Sequence, residues 1–365
     1  MPAADEAVDG APADSTLACI YERVGLGNVC AADRRRGLEA RNARSRCGRP
    51  QRKAPSVPKM SVPRLAIGPQ PSEFALDAVV AGGGEVVGID EGPEGLIWLH
   101  GGDSAGLSAS LARAPEVEWV QLPMAGIEAF AEVGLLDPDL RWTCAKGAFA
   151  QPVAEHALTL ALAGLRQLPT RLAARTWGVP SGTSLYDQPV TILGGGGITA
   201  ALLELLQPFR VRATVVRRRP DPVAGAHRTV GPEALSEVLP GAQVVFLALA
   251  LTPATVGIIG SEELAMMDEG AWLVNVARGK HVVTDGLVEA LRSGAIAGAA
   301  LDVTDPEPLP DGHPLWDLPS CIVTPHTADT IEMVLPLLAE RISLNVRRFA
   351  AGEPLLGVVD PIAGY

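Results

Sequence analysis

Short apolar runs punctuate the chain from Met60 onward, separated by polar or mixed stretches. Pro63–Ile67, Glu85–Val87, Leu96–Leu99 and Glu118–Leu122 have the length and content of strands, with helical or loop stretches such as Leu107–Arg113 between them. This pattern predicts a small α/β unit of about 95 residues. Val153–Leu168 (VAEHALTLALAGLRQL) is apolar almost all round, so the spacing predicts a long helix buried between domains or subunits. After the loop Gly178–Gln188 the alternation becomes stricter. Strands are predicted at Val190–Leu193, Arg212–Val216, Gln243–Leu249, Ala271–Val276, Ala297–Leu301 and Cys321–Thr324. Helices fill the gaps at Ile198–Leu206, Pro232–Leu239, Glu262–Met267 and Thr284–Ser293. Strands alternating with helices predict a parallel sheet covered on both faces. A last helical stretch, Thr330–Phe349, is expected to return to the first unit. The expected organisation is an α/β chain of two domains, residues 60–157 with 329–365 and residues 158–328, the second a doubly wound parallel sheet.

Charge divides the chain differently. Residues 1–59 carry 11 Lys and Arg against 7 Asp and Glu, so the remainder holds −16 of the total −12. With little apolar periodicity, residues 1–59 read as a disordered extension, and Met60 opens the patterned region as a start codon there would. Its rival reading is a basic tail that contacts nucleic acid or lipid. It lacks the apolar stretch of a secretory signal, and Asp5, Glu6, Asp9 and Asp14 argue against a transit peptide. Cys19, Cys30 and Cys47 form no CxxC pair and have no His nearby, so no zinc site is expected. Beyond residue 59 only Cys144 and Cys321 remain, which fits a reducing cytoplasm rather than a disulfide framework. The acidic balance argues against nucleic-acid binding, and 4% aromatics against a base-stacking platform. Apolar runs of strand length predict no membrane span.

The chemistry concentrates at the first turn of the second unit. The apolar run Val190–Leu193 is followed by Gly194-Gly195-Gly196-Gly197-Ile198-Thr199 and then a helical stretch. Gly194 and Gly196 fall at the first two glycines of GxGxxG. The first permits the tight turn, and the second lets the backbone approach a pyrophosphate at the N-terminus of the helix that Gly197 and Ile198 begin. Thr199 stands where the third glycine is usual. At the end of the next strand, where an acid commonly binds the adenosine ribose, stand Arg217, Arg218 and Arg219. Guanidinium groups attract a 2′-phosphate, which favours NADP and leaves NAD possible.

Three further stretches follow in order: Asn275-Val276-Ala277-Arg278-Gly279, Leu301-Asp302 leading to Glu307-Pro308-Leu309-Pro310, and Thr324-Pro325-His326-Thr327-Ala328. With Val153-Ala154-Glu155-His156 they resemble the D-isomer-specific 2-hydroxyacid dehydrogenases, over roughly Met60 to Tyr365. The resemblance implies a flavodoxin-like substrate domain completed by the C-terminal helix, a Rossmann coenzyme domain, and an active site in the cleft between them. It also implies a homodimer and a small 2-keto acid or D-2-hydroxy acid as substrate.

Reducing a keto acid needs a cation for the carboxylate and carbonyl, and an acid for the new oxyanion. Arg278 suits the first task through its planar, permanently charged fork. His326 suits the second because its pKa lies near neutrality, with Glu307 expected to face and orient it. By the same resemblance, Asp302 accepts a hydrogen bond from the nicotinamide carboxamide, and Val276, Ala277, Arg278 and Ala328 border the cofactor. Gly101 and Gly102 are expected to offer backbone N–H groups to a substrate carboxylate, with Asp103 beside them. His156 is expected to pack at the domain junction, and His100, His227, His281 and His313 receive no role. Departures from the family pattern are Thr199, the stretch Ala248-Leu249-Ala250-Leu251-Thr252 in place of His-x-Pro-Leu-Thr, and Asp329 in place of a small residue. A short phosphoglycerate dehydrogenase and a non-catalytic dinucleotide sensor remain alternatives. A formate dehydrogenase is disfavoured, because that branch lacks Glu at the position of Glu307.

Overall fold

The computed structural model describes residues 62–361. The extension expected over residues 1–59 lies outside them. Two wholly parallel sheets organise the rest.

The first sheet holds β1 (Arg64–Gly68), β2 (Glu85–Val86), β3 (Gly95–Trp98), β4 (Trp119–Gln121) and β5 (Arg141–Thr143), in the order β2-β1-β3-β4-β5. Helices α1 (Glu73–Ala81), α2 (Ser104–Arg113) and α3 (Glu128–Ala131) connect these strands. The four predicted strands are present within a residue or so of their ends, whereas β5 and α1 were not anticipated. Arg141-Trp142-Thr143 offers a single apolar side chain, so no run announces it. Its Trp142 is nonetheless fully buried.

Helix α4 (Ala150–Leu165) crosses to the second unit and ends in α5 (Leu168–Ala173). Its buried positions Ala150, Ala154, Ala157, Ala161 and Gly164 are small, which lets neighbouring backbones approach. A Cβ on Gly164 would collide with the Trp272 indole. The helix runs unbroken through residues 157 and 158, so the expected domain boundary falls inside it.

The second sheet has seven strands in the order β12-β11-β10-β9-β6-β7-β8. These are β6 (Pro189–Leu193), β7 (Arg212–Val216), β8 (Arg228–Val230), β9 (Val244–Leu247), β10 (Trp272–Asn275), β11 (Gly298–Leu301) and β12 (Cys321–Val323). Helices α6 (Gly197–Leu206), α7 (Leu235–Val238), α8 (Ser261–Met266) and α9 (Thr284–Ser293) link them. β8 was missed because Arg228-Thr229-Val230 is short and half polar. The predicted α/β architecture, a doubly wound sheet with a second parallel-sheet unit, is the one observed. The strand order reverses at β6, which lies between β7 and β9, and ligands of such sheets bind beyond the strand ends at that reversal.

Helix α10 (Ile331–Ala351) returns to the first unit and packs along α1. Buried Asn345 on α10 donates to Gln121 Oε1 at the end of β4 at 2.8 Å, and Arg347 donates to the Ala81 carbonyl. Among the described residues, no helix is long and apolar enough to cross a membrane.

Candidate active site

The glycine turn stands at the end of β6. Gly194 has φ +112, and a Cβ there would collide with the Ala248 carbonyl, so only glycine fits. At Gly196 a Cβ would meet nothing within 4 Å, leaving open space beside the first, uncapped turn of α6. That is the approach a pyrophosphate needs. Gly197 supplies the close packing that the third glycine of the pattern usually provides, since a Cβ there would fall 2.9 Å from Gly147 Cα. Thr199 is buried instead, and its hydroxyl donates to the Gly194 carbonyl at 2.9 Å, tying the turn to the helix.

Arg217 follows β7, half-buried, with its side chain beside Gly195; a Cβ on Gly195 would lie 2.8 Å from Arg217 Cδ. Arg218 and Arg219 are exposed. These residues fit a dinucleotide. Glycine supplies clear backbone at the helix start, and a guanidinium stands at the end of the neighbouring strand.

The three expected catalytic residues come from separate strand ends. Arg278 follows β10 by way of Asn275, whose amide donates to the Arg278 carbonyl and whose Oδ1 accepts from the Ala277 N–H. Val276 and Ala277 are buried, and the Ala277 carbonyl accepts from Arg278 Nη1 at 2.8 Å. Both polar groups of the Ala277 backbone therefore serve the Arg278 turn, while the Val276 N–H donates to the Leu247 carbonyl of β9.

His326 follows β12, with φ +49, an uncommon conformation for a side-chain-bearing residue. Its N–H donates to the Asp302 carbonyl at 2.8 Å. The Asp302 carboxylate also accepts from Thr327 N, Ala328 N and Thr324 Oγ1, and lies 3.3 Å from His156 Nε2. The Asp302 carboxylate is thus engaged by the chain's own donors. Four donors from the chain surround it and its side chain is 1% exposed, so it clamps the turn that aims His326. Burial raises the Asp302 pKa, but the bonds from His156, Thr324, Thr327 and Ala328 outweigh it and hold the carboxyl below its usual value. His156, expected only to pack, joins this network and also reaches Thr324 Oγ1 at 3.1 Å. Ala328 is buried, with its N–H committed to Asp302.

Glu307 meets His326 as anticipated, with Oε1 2.6 Å from Nδ1. The hydrogen bond to Glu307 raises the His326 pKa above 6.5, against the opposing effect of desolvation. Arg278 and Asp302 also lie close enough to act on this titration. Asp329 adds a carboxyl nearby. Its pKa is raised, by burial first and also by Asp302, while His326 and Arg278 oppose the shift.

The first unit offers fewer free groups than expected. Gly101 is buried beneath Met124, and the Gly102 N–H donates to His100 Nδ1 at 3.2 Å, so that N–H is not free for a carboxylate. Asp103 caps α2 through Gly106 N at 2.8 Å. Sequence reasoning missed Glu128, whose Oε1 accepts from Arg278 Nε at 3.1 Å across the cleft. It also missed His281, fully buried with Nδ1 2.9 Å from the Thr255 carbonyl and Nε2 3.3 Å from that of Leu249. His281 thereby ties the turn after Arg278 to the departing Ala248–Thr252 stretch. No motif marks either residue, because their partners lie on distant elements.

A family profile described as D-isomer specific 2-hydroxyacid dehydrogenase, NAD binding domain, matches residues 156–328. An uncharacterized protein in the proB 3′ region of Corynebacterium melassecola is 41% identical over 295 residues, 79% of this chain and 95% of its own. Glyoxylate/hydroxypyruvate reductase A of Serratia proteamaculans is 37% identical over 177 residues, 48% of this chain and 56% of that protein. Among solved structures, a D-isomer specific 2-hydroxyacid dehydrogenase from Xanthobacter autotrophicus Py2, in complex with NADPH and MES, superposes with a TM-score of 0.72 at 31% identity, spanning 84% of this chain and 100% of that one. An NADPH-dependent glyoxylate/hydroxypyruvate reductase from Sinorhizobium meliloti, holding NADP and sulfate, does so with 0.69 at 25%, spanning 83% and 100%.

Proposed function

This chain belongs to the D-isomer-specific 2-hydroxyacid dehydrogenase family, and we propose that within it the protein is an NADPH-favouring reductase of small 2-keto acids with Arg278, His326 and Glu307 as its catalytic set. Membership makes it an NAD(P)-dependent oxidoreductase acting between 2-hydroxy and 2-keto acids. Residues 60–157 with 329–365 form the substrate domain in this reading, and residues 158–328 the coenzyme domain. Gly194, Gly196, Gly197 and Ile198 receive the pyrophosphate, and Arg217 and Arg218 the adenosine end.

When bound, the nicotinamide supplies the hydride. The chain's own residues do the rest. Arg278 holds the substrate carboxylate and draws charge onto the carbonyl oxygen, whose developing negative charge it stabilises. His326 keeps its Nδ1 proton toward Glu307, so the proton it gives to the new alkoxide leaves from Nε2. Its raised pKa keeps more of the imidazole charged near neutrality than an unpaired histidine would be, which suits the reductive direction.

The observation that carries this reading is the 2.6 Å His326–Glu307 pair, set within electrostatic reach of Arg278. Its test is turnover of glyoxylate, hydroxypyruvate and pyruvate with each reduced cofactor. Steady reduction of at least one is expected. Tight NADPH binding with no turnover on any keto acid would favour the dinucleotide-sensing alternative.

The pair also sets a pH dependence. Reduction needs protonated His326, so kcat/KM should fall as pH rises through its pKa, which lies above 6.5 in the wild type. Glu307→Gln removes the anion that raises this pKa and should move the falling limb to lower pH. A limb that stays in place would separate Glu307 from His326 in solution.

A cytoplasmic setting is supported by the free thiols of Cys144 and Cys321. A homodimer is supported by Leu168, Leu172, Trp177, Val179 and Tyr186, which stand exposed around α5 and the loop after it.

A further inference from the structure

Arg278 does not stand alone at the cleft. Glu128, the first residue of α3, reaches it from the other α/β unit, with Oε1 3.1 Å from Nε. Both side chains are about one-third exposed, at 35% and 34%. The Ala277 carbonyl accepts from Nη1 on the neighbouring edge. A guanidinium has five N–H bonds. These two acceptors take one each, on the Nε side and on Nη1. Three remain, one on Nη1 and two on Nη2, enough for a two-point contact with a carboxylate. Gly126 makes room for this arrangement, since a Cβ there would collide with Arg278 Nη2 and lie 2.5 Å from Glu128 Oε2.

We propose that Glu128 is a positioning residue. It holds the Nε edge of Arg278 so that the Nη1/Nη2 edge is presented, already oriented, to the carboxylate of a 2-keto acid. The inference rests on the reading of Arg278 as the carboxylate-binding residue. A single hydrogen bond to Nε favours orientation over blockade. A carboxylate that imitated substrate would take both members of a fork. Without Glu128 the long arginine side chain would sample other rotamers, and the substrate would bear the entropic cost of ordering it.

The roles of charge and acceptor separate by substitution. Glu128→Ala loses both, whereas Glu128→Gln keeps an oxygen that can accept from Nε. Kinetics with glyoxylate and hydroxypyruvate should show kcat/KM lowered roughly 10- to 100-fold in E128A, mainly through KM. E128Q should recover most of that loss, and both variants should keep the wild-type Tm and NADPH affinity. An E128A enzyme within twofold of wild type would overturn the proposal. So would tighter keto-acid binding in both variants, which would make Glu128 a competitor of substrate. A joint loss of Tm and NADPH affinity in E128A would overturn it as well, marking a role in the fold. Arg278→Ala measured alongside keeps the two readings apart. An active R278A removes the premise, whereas an inactive R278A beside a fully active E128A removes only the role of Glu128.

Discussion

Arg278→Ala is expected to lower kcat/KM for the keto acid by roughly 10²–10⁴ while leaving NADPH binding near wild type. The size follows from two losses at one atom group. The substrate carboxylate forfeits a charge-assisted fork, and the carbonyl oxygen forfeits the cation that stabilises it as it gains charge. Glu128 makes the change more severe, because removing the guanidinium leaves that carboxylate facing the incoming anion. Cofactor binding should be spared, since the glycine turn and Arg217 lie at the ends of other strands. Tm should change little, because the Arg278 side chain is 35% exposed and its removal opens no core cavity. Steady-state kinetics and NADPH titration of the purified variant check this, and activity within threefold of wild type would remove Arg278 from the mechanism.

The parts of the molecule that were legible in the sequence are those whose cause is local. β6 and β9 to β11 are buried on both faces, so they read as continuous apolar runs, and the glycine turn follows from the φ and clearance that only glycine allows. Thr284–Ser293 was placed to the residue because its apolar side chains recur at helical spacing and Gly294 ends it in the left-handed region. Arg278, Glu307 and His326 were found by motif order, and the meeting of Glu307 with His326 followed from that order.

What stayed hidden depends on distant partners. Glu128 and Arg278 are 150 residues apart in sequence, and nothing in Gly126-Ile127-Glu128 announces an ion pair. Asp302 was given to the cofactor because its motif was recognisable, while its four internal donors were not. The donors come from α4 and the turn after β12, which no local pattern connects. Likewise, a backbone N–H in a glycine-rich loop looks available until His100 is seen to accept from Gly102. Polar networks within a fold are set by tertiary proximity, so the internal partners of single polar residues are what local sequence patterns show least.

The cofactor preference should reverse in Arg217→Asp. With the pyrophosphate at Gly194–Gly197, the adenosine ribose falls toward the end of β7, where Arg217 lies beside Gly195. A 2′-phosphate brings nearly two negative charges to that place, and Arg217, with Arg218 next to it, offers the opposite sign. Both arginines are in contact with solvent, so each charge-assisted bond is screened and contributes about 1–1.5 kcal/mol. Two such bonds amount to roughly 2–3 kcal/mol, or about a 30- to 150-fold preference for NADPH in kcat/KM. Aspartate at position 217 removes one cation, repels the phosphate and supplies the acceptor that a bare 2′-OH lacks in the wild type. Kinetics with both reduced cofactors at two salt concentrations check this. The NADPH preference should shrink at higher salt, because the contacts behind it are solvent-exposed. A wild-type enzyme that prefers NADH would mean that Arg217 and Arg218 do not face the adenosine ribose.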